Sequence, residues 1–546
     1  MPEPALDRRR RLLVLAICCM SLLIVSLDNT ALNVALPSIQ KDLNASLSGL
    51  QWTIDAYTLV LASLLMLAGA TADRIGRRRV FRVGLLVFVL GSLLCSLAPG
   101  LDWLVAARVL QAVGGSMLNP VAMSIITNTF TDPRERARAI GIWGGVVGIS
   151  MAAGPIVGGL LVDWTGWQAI FWLNIPIGLT AYLLTTRYVP ESRAPRARRA
   201  DPVGQLLMIV LLGALTYAII ESPHRGLTSP VVLGCAALAA AGLAGLLWYE
   251  PRRAEPLIDL RFFRSAPFSG ATAVAVFAFA ALGGFLFLNA LHLQDVRGLS
   301  ALEAGLYMLP MAATTLVLAP VSGRMVGGRG PRLPTLLAGV GLTAAGVFFA
   351  LTASPDLPDA ALLAGYVVFG AGFGIVNAPI TNTAVSGMPR AQAGVAAAVA
   401  STSRQVGQSL GVAVIGAVMA SAALASDGGR TGGSFAGSER TAWWIIAGCG
   451  FAVLLLGALT TGRWARATAE RTARLLEPHG ERPEGAWPAD ADRARDRADR
   501  AAEEGAARGG DRWAGPSRGG PGGRSRGRRG GTAPGEDRRP GEPGGR

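Results

Sequence analysis

Lysine and histidine are scarce in this chain of 546 residues. The single lysine, Lys41, follows Gln40 rather than glycine, which excludes the Gly-Lys-Ser/Thr step of a nucleotide-binding P-loop. The scarcity of lysine also argues against an enzyme that holds a cofactor through a lysine Schiff base. The 3 histidines are scattered and form no cluster. We therefore expect no ATP site, no cofactor and no enzymatic activity.

Cysteine is also sparse, and its pattern argues against metal binding. All 5 cysteines lie inside apolar runs, and none has metal-ligand spacing with a histidine. We interpret them as small buried hydrophobic side chains rather than disulfide partners or metal ligands. They are Cys18, Cys19, Cys95, Cys235 and Cys449.

Charged residues make up only 16% of the chain, whereas 51% of it is hydrophobic. Apolar runs of about 20 residues recur from Leu12 to Gly462, long enough to cross a hydrocarbon core of about 30 Å. A large soluble helical protein would show amphipathic stripes instead. A signal peptide after Arg8–Arg11 is disfavoured, because the run is too long and lacks a small-residue cleavage site. We predict an all-α membrane protein with 14 transmembrane helices at 12–36, 51–72, 80–98, 103–125, 139–161, 167–188, 202–221, 230–249, 268–290, 303–323, 333–352, 359–384, 394–422 and 441–462.

Arginine is concentrated in alternate connections between the predicted spans. By the positive-inside rule these connections are cytoplasmic. The alternation predicts that both termini are cytoplasmic and that the protein is a multi-pass protein of the inner (cytoplasmic) membrane. The cytoplasmic connections carry Arg74 with Arg77–Arg79, Arg134 with Arg136 and Arg138, Arg193 with Arg196, Arg198 and Arg199, Arg252 with Arg253, and Arg329 with Arg332.

An internal repeat relates the two halves of the chain. Gly69-x-x-x-Asp73-Arg74-x-Gly76-Arg77 closes the second span, and Gly323-x-x-x-Gly327-Gly328-x-Gly330-Pro331-Arg332 closes the tenth. Repeated halves are typical of alternating-access transporters. We predict a cytoplasmic N-terminus at 1–11, a six-helix bundle at 12–190, two inserted helices at 202–250, a second six-helix bundle at 268–462 and a C-terminal tail at 463–546.

The tail is rich in arginine, glycine and proline and poor in large apolar residues. Such a composition cannot bury enough surface to fold, so we predict that 463–546 is a disordered cytoplasmic extension. A basic tail could bind nucleic acid or anionic lipid. The net charge of +15 comes largely from cytoplasmic loops and this tail, so no nucleic-acid partner is expected.

Three charged residues lie within the predicted spans at a similar depth. With a rise of about 1.5 Å per residue, Asp28, Arg108 and Asp55 all fall in the outer half of a core of about 30 Å. A charge at such depth costs roughly 2.5–3.5 kcal/mol, which makes each a functional candidate. We predict that Asp28 lies beside Arg108 and couples transport to protons, with Asp55 as a third member. The alternatives are a purely structural Asp–Arg pair and an Asp55 shallow enough to be hydrated.

Two further motifs combine glycine with charge or proline. In the loop from Asp73 to Arg79, Gly76 predicts a tight turn, and anchoring alone would need no acid there. In Gly154-Pro155-Ile156-Val157-Gly158-Gly159, proline removes a backbone hydrogen bond and the glycines permit close helix contact.

Several motifs in this order resemble those of the 14-helix drug:proton antiporters of the major facilitator superfamily. The resemblance covers about residues 12–462. The segments that carry it are Leu27–Pro37, Gly69–Arg78, Leu104-x-x-x-Arg108-x-x-Gln111 with Gly114, Gly154–Gly159, Trp167–Pro176, Leu293–Gly298 and Arg404-Gln405-Val406-Gly407.

The resemblance implies rocker-switch export of hydrophobic or amphipathic compounds, driven by proton entry. It assigns Asp28 and Arg108 to coupling. It makes the loop residues Gly69, Asp73, Arg74, Gly76, Arg77 and Arg78 a conformational latch, and Gly154, Pro155, Gly158 and Gly159 the antiporter motif. Arg404 and Gln405 in helix 13 are further candidate site residues. Ala112 replaces the glycine usual after Gln111, Gln168 replaces a basic residue, and Gly327 replaces the acid of the second loop.

We therefore predict a drug or antibiotic exporter that exchanges its small-molecule substrate for protons within the lipid bilayer and acts as a monomer. One alternative is an importer or facilitator of another small metabolite, against which Gly154–Pro155 argues. Another is a non-transporting membrane sensor whose tail binds a partner. Few acids face the membrane interior, which weakens the case for strongly cationic drugs.

Overall fold

The protein consists of α-helices, with no strand in the part of the chain that the structure describes. The computed structural model describes residues 7–194, 201–253, 255–352, 354, 356–386, 388, 392–425 and 432–476. This confirms the predicted all-α fold class. Its helices are α1 (Arg8–Leu43), α2 (Leu47–Ile75), α3 (Arg77–Ser96), α4 (Leu101–Thr129), α5 (Pro133–Thr165), α6 (Gln168–Tyr188), α7 (Pro202–Arg225), α8 (Pro230–Tyr249), α9 (Ala266–Leu291), α10 (Ala301–Tyr307), α11 (Leu309–Arg329), α12 (Arg332–Thr352), α13 (Asp359–Val385), α14 (Ala393–Ala425), α15 (Gly432–Thr460) and α16 (Arg463–Leu476).

Within those ranges, 13 helical segments are long and apolar enough to cross a membrane. They correspond to all the predicted spans except 394–422, with α10 and α11 together supplying one. The span 394–422 forms α14, which is long enough at 33 residues. Its apolar surface is interrupted by Arg404, Gln405 and Gln408.

Several helices begin or end outside the predicted spans; α15, for example, begins at Gly432 rather than at residue 441. Two of the differences have a local cause. The span 303–323 is broken at Met308, because Pro310 opens α11 and cannot donate a backbone hydrogen bond to the preceding turn. The first helix does not stop at residue 36 but continues through Pro37 to Leu43. It ends where Asn44 adopts a left-handed conformation with φ of 48°.

The prediction that 463–546 is disordered throughout is also wrong for its first residues. Arg463–Leu476 forms α16, which buries Ala465, Ala469 and Leu476. Thr468 Oγ1 accepts a hydrogen bond from Ala266 N at 2.9 Å and so ties α16 to the start of α9. Composition averaged over the whole tail hid this short apolar stripe. Residues 477–546 lie outside the described residues, as do Arg196, Arg198 and Arg199 of the predicted basic loop.

The helices pack in two groups joined by an inserted pair. In the first group α1 packs against α5 and α6, and α4 packs against α2 and α3. In the second group α9 packs against α14 and α15, α11 against α13, and α12 against α13 and α15. The pair α7 and α8 pack on each other, and α7 also contacts α2 and α14. We call these the N bundle (α1–α6) and the C bundle (α9–α15).

The two bundles meet at one end of the molecule. We call the end that carries the α2–α3 and α4–α5 connections the arginine-rich face, and the other end the opposite face. Near the opposite face, α5 packs on α10, α2 on α14 and α1 on α9. The two bundles are therefore joined where the α9–α10 connection lies.

Toward the arginine-rich face, α5 and α11 separate. The side chain of Leu316 on α11 lies against Gly148 on α5. Residues four and seven positions away lie on the same helix face. Nearer the arginine-rich end of both helices, several glycines face open space, because a Cβ added to them would meet no neighbouring side chain or helix within 4 Å. These glycines are Gly141, Gly144 and Gly145 on α5 and Gly323 and Gly327 on α11. A cleft between the bundles therefore opens at the arginine-rich face.

Candidate functional site

The predicted contact between Asp28 and Arg108 is present. Arg108 Nη1 donates to Asp28 Oδ2 at 2.5 Å, and both side chains are 0% exposed. Asp28 lies in α1 and Arg108 in α4. Because taking two charges out of water is costly, a buried pair persists only when further hydrogen bonds satisfy its remaining atoms.

The second carboxylate oxygen of Asp28 is also hydrogen bonded. Gln111 Nε2 donates to Oδ1 at 2.9 Å, and Asn174 Nδ2 donates to it at 2.8 Å. Both amides also reach Ser92 Oγ, at 2.7 and 3.2 Å. Side chains of α4 and α6 thus converge on the Asp28 carboxylate of α1, and Ser92 of α3 accepts hydrogen bonds from both amides. A change in the charge of Asp28 therefore alters contacts among four helices.

Arg108 is held by α2 as well. Its Nε donates to the carbonyl oxygen of Thr53 at 3.2 Å, and its Nη1 also donates to Gln111 Oε1 at 2.6 Å. The guanidinium carbon lies 4.1 Å from the centre of the Tyr57 ring, close enough for a cation–π interaction. Nη2 has no hydrogen-bond partner within the described residues.

Sequence reasoning missed Ser92, Tyr57 and Asn174 as members of this site. Gln111 and Asn174 lie inside motifs that resemble the family, but the motifs alone do not predict their contacts with Asp28. A usable signal was that Ser92, Gln111 and Asn174 are polar residues in long apolar runs, and such residues face protein rather than lipid. All three are buried.

Asp55 does not join the Asp28 network, so the expectation from depth is wrong for this residue. Its side chain is 0% exposed. Asp55 Oδ1 accepts from Thr58 Oγ1 at 3.3 Å, and Ser409 of α14 lies beside it. Depth places a residue along the membrane normal but does not set the direction of its side chain. On α2 the face toward Arg108 carries Thr53 and Tyr57, and a residue two positions from each points to the other side of the helix.

The loop from α2 to α3 contains the predicted tight turn. Gly76 has φ of 127°, a conformation that side chains rarely adopt. Asp73 Oδ1 accepts from Arg77 Nη2 at 2.9 Å and from Arg77 Nε at 3.1 Å. Gly69 lies beside Pro120 of α4, and Arg74 is exposed.

Glu191, which sequence reasoning missed, anchors this loop. Its Oε1 accepts from the backbone N–H of Arg78 at 3.1 Å, and its Oε2 lies 3.7 Å from Arg79 Nε. A Cβ on Gly76 would overlap the Glu191 carboxylate. These partners lie on α2, on α3 and in the segment that follows α6, and none belongs to the C bundle. The latch role of Gly69, Asp73, Arg74, Gly76, Arg77 and Arg78 therefore stays a prediction.

The glycines of α5 bring that helix against α1. A Cβ on Gly154 would overlap the Thr30 side chain, and a Cβ on Gly158 would lie 2.9 Å from Ala31 Cα. Thr30 Oγ1 also donates to Ser150 O at 3.2 Å. The helix that bears Asp28 is therefore in close contact with α5.

The other side of α5 touches the C bundle. The carbonyl of Pro155 lies against Gly305, and Gly159 lies against the backbone of Ala301, both on α10. Asp163 accepts two backbone hydrogen bonds from the first turn of α10, from Ala301 N at 3.2 Å and from Leu302 N at 3.1 Å. Asp163 was not singled out from the sequence.

The C bundle repeats the close helix contact. Gly407 lies against the backbone of Val276, and Gly411 lies against that of Ala280. Both glycines are on α14 and face α9, as Gly154 and Gly158 on α5 face α1. The internal repeat recognised in the loops thus extends to the helix packing.

On α14, Arg404 Nη1 donates to Asn377 Oδ1 of α13 at 3.0 Å. Gln405 beside it is half-buried. Nearer the opposite face, Gln51 Nε2 donates across the bundles to Val412 O and Ala413 O at 3.2 and 2.8 Å.

The departure at Ala112 does not prevent close packing of α3 on α4. Gly91 lies against the backbone of Gln111, and Gly114 lies against that of Phe88. Ala112 itself is fully buried. Gly91 on α3 and Gly114 on α4 therefore allow the two helices to pack closely without a glycine at position 112.

Two repeated helical bundles that are joined at one face and separated at the other are the architecture of a secondary transporter. The chain belongs to the Major Facilitator Superfamily, whose family model matches residues 18–412.

Curated relatives of the chain are resistance and efflux proteins. It is 39% identical over 412 residues to the multidrug resistance protein Stp of Mycobacterium tuberculosis, an alignment that covers 76% of each chain. It is 39% identical over 401 residues to the tetracenomycin C resistance and export protein of Streptomyces glaucescens, covering 73% of this chain and 74% of that one. It is 37% identical to the methylenomycin A resistance protein of Streptomyces coelicolor, covering 72% and 82%.

Solved structures share the fold at low sequence identity. A bacterial homolog of the human lysosomal transporter Spinster, inward-facing and unoccupied, has a TM-score of 0.59 at 19% identity, covering 87% of this chain and 100% of that one. The peptide transporter POT in complex with sulfate also has a TM-score of 0.59, at 16% identity, covering 85% and 96%.

Proposed function

We propose that the protein exports hydrophobic or amphipathic drugs across the cytoplasmic membrane in exchange for protons. The observation that carries the proposal is the Asp28–Arg108 pair, which is fully buried and hydrogen bonded by groups of α2, α4 and α6. The names of the curated relatives support the drug class. The driving force is the proton gradient, with no cofactor, and the working unit is a monomer.

The positive-inside rule assigns the arginine-rich face to the cytoplasm, with both termini on that side of the inner membrane. The cleft then opens inward, and the contacts of α5 with α10 and of α2 with α14 close the outer side. Compounds enter the cleft from the cytoplasm or the inner leaflet. An outward-facing state requires the outer contacts to break.

Proton binding at Asp28 removes its negative charge. The hydrogen bonds from Arg108, Gln111 and Asn174 then lose the charge that strengthens them. Because α1 packs on Gly154 and Gly158 of α5, and Pro155 of α5 touches α10, a shift of α1 reaches the interface between the bundles. Asp55, buried beside α14, is a second acid at that interface and remains a candidate for coupling.

The driving force is adequate for export. Each proton that enters brings roughly 2.3 kcal/mol per 100 mV of membrane potential, in addition to the pH gradient. About 1.4 kcal/mol corresponds to a tenfold concentration ratio, so one proton supports a large gradient of an uncharged compound.

The test measures drug accumulation in everted membrane vesicles, with and without an uncoupler. The probes are ethidium, Nile red and 8-anilinonaphthalene-1-sulfonate, which are cationic, neutral and anionic. We expect wild-type vesicles to accumulate at least one probe in an uncoupler-sensitive manner and Asp28→Asn to abolish this. Asp102→Asn, which alters an exposed acid of α4, serves as the matched control and should be active.

Loss of one partner of a buried pair costs about 3–5 kcal/mol, so Asp28→Asn could also lower stability. The double variant Asp28→Asn/Arg108→Gln removes both charges and leaves none unpaired. We expect it to reach wild-type abundance and still to lack coupled accumulation. Uncoupler-sensitive accumulation in either variant would contradict the coupling role.

A further inference from the structure

Arg404 of α14 has no acidic partner among the residues that the structure describes. Arg404 Nη1 donates to Asn377 Oδ1 at 3.0 Å, and its remaining contacts are to the hydroxyls of Thr381 at 3.5 Å and Ser401 at 3.4 Å. All three partners are neutral. No carboxylate of the described chain lies within ion-pair distance of this guanidinium.

Arg404 lies at membrane depth and faces the cleft. It is eleven residues from the start of α14, about 16 Å along the helix and therefore near the middle of the bilayer. Its side chain is partly exposed, and Thr381 of α13, at 3.5 Å from its Nη1, is exposed. Thr381 lies close to the end of α13 at Val385, so the guanidinium points toward the arginine-rich face, where the cleft opens. A partly exposed arginine within a membrane span lines a water-filled cavity rather than lipid. One turn further along α14, toward the opposite face, Gln408 Nε2 donates to Asn29 Oδ1 of α1 at 3.4 Å. This contact closes the cleft on that side of Arg404.

The charge that the cleft presents is positive. Asp28 and Asp55, the acids nearest to mid-membrane in the described spans, are both fully buried. Asp28 is already paired with Arg108. Because the groups that contact Arg404 are neutral, they leave its positive charge uncompensated, and an anionic ligand can pair with it. The planar guanidinium can bind a carboxylate through two parallel hydrogen bonds.

We propose that Arg404 is the anchoring residue of a substrate site for amphipathic organic anions, such as aromatic carboxylates and phenolates. The anionic oxygens bind the guanidinium, and the apolar body lies in the cleft between the bundles. The proposal rests on the proposed export function, since it names the class of compound that the same cleft accepts.

The test compares probes that share one aromatic body and differ in charge. They are 1-pyrenebutyrate, the uncharged 1-pyrenebutanol and (1-pyrenebutyl)trimethylammonium. Binding to the purified full-length protein in detergent is measured by equilibrium dialysis, with protein-free micelles as the blank. We expect wild-type protein to bind the carboxylate more tightly than either other probe.

Arg404→Gln should weaken binding of the carboxylate by about tenfold or more, the usual effect of losing a charged hydrogen bond, and leave the other two probes unchanged. Arg404→Lys keeps the charge but loses the fork, so its affinity should be intermediate. Arg252→Gln removes an exposed arginine outside both bundles and should bind like wild type. Unchanged carboxylate binding in Arg404→Gln, or an equal loss for all three probes, would overturn the proposal.

A second variant tests the site independently, in case Arg404→Gln fails to fold. Asn377→Asp places a carboxylate on the side chain that already accepts from Arg404, and so neutralises the arginine in place. It should reduce 1-pyrenebutyrate binding as Arg404→Gln does, and retention of wild-type affinity would contradict the proposal. Selective carboxylate binding without proton-driven accumulation would refute the export function but support the site. Accumulation with no charge preference would refute the site alone.

Discussion

The Asp163 carboxylate provides a direct way to shift the balance between conformations. It accepts two backbone hydrogen bonds, from Ala301 N and Leu302 N, across the interface between the bundles. Asp163→Asn removes the charge but keeps an oxygen acceptor. Hydrogen bonds to charged groups stabilise by about 1.5–3 kcal/mol. Because Asp163 is exposed, we expect a net loss of only about 1 kcal/mol for the state that is closed at the opposite face.

A loss of about 1 kcal/mol changes a two-state ratio by about fivefold. Spin labels at Thr131→Cys and Arg329→Cys, both exposed at the arginine-rich face, report the separation of the bundles there. The five native cysteines are first replaced by serine or alanine. Pulsed electron resonance should show the short-distance population rising about fivefold relative to the long one in Asp163→Asn. Asp102→Asn is the control, and an unchanged distance distribution in Asp163→Asn would show that Asp163 does not stabilise the state closed at the opposite face.

Two further predictions concern packing and the α2–α3 loop. Gly158→Ala places a methyl group 2.9 Å from Ala31 and should reduce folded yield and vesicle accumulation, since overpacking costs about 1–3 kcal/mol. Gly144→Ala, in open space, should be at least as stable as wild type, and equal losses in both would contradict this. Glu191→Gln weakens a partly exposed ion pair worth less than about 1 kcal/mol and should barely move the unfolding midpoint. Glu191→Ala also removes the acceptor of the Arg78 N–H and should lower the midpoint; equal midpoints would refute the anchoring role.

The helices and the central pair were predictable because each follows from one physical rule. Apolar runs of membrane-spanning length locate the spans. The cost of an intramembrane charge singles out Asp28 and Arg108, and opposite signs at equal depth predict their contact. The structure confirms that contact.

Other features depend on rotation about a helix axis, which depth does not specify. Asp55 shares the depth of Arg108 but points away from it, toward Ser409. Asn174 comes from α6 and completes the site only because α6 packs beside α1 and α3. Asp163 bonds the backbone of α10 across the interface between the bundles, a contact between distant segments that its sequence position does not reveal. The short helix α16 was missed because the composition of a long polar tail masks four turns of helix.

The most direct test of the coupling claim measures proton movement itself. Purified protein is reconstituted into proteoliposomes that carry a pH-sensitive dye inside, and a transported probe is added to the outside. We expect the probe to drive proton movement in the opposite direction for the wild-type protein and for Asp102→Asn. We expect none for Asp28→Asn/Arg108→Gln, which should fold because neither charge is left unpaired. Probe-driven proton movement in the double variant at the wild-type rate would contradict the claim that Asp28 and Arg108 couple export to protons.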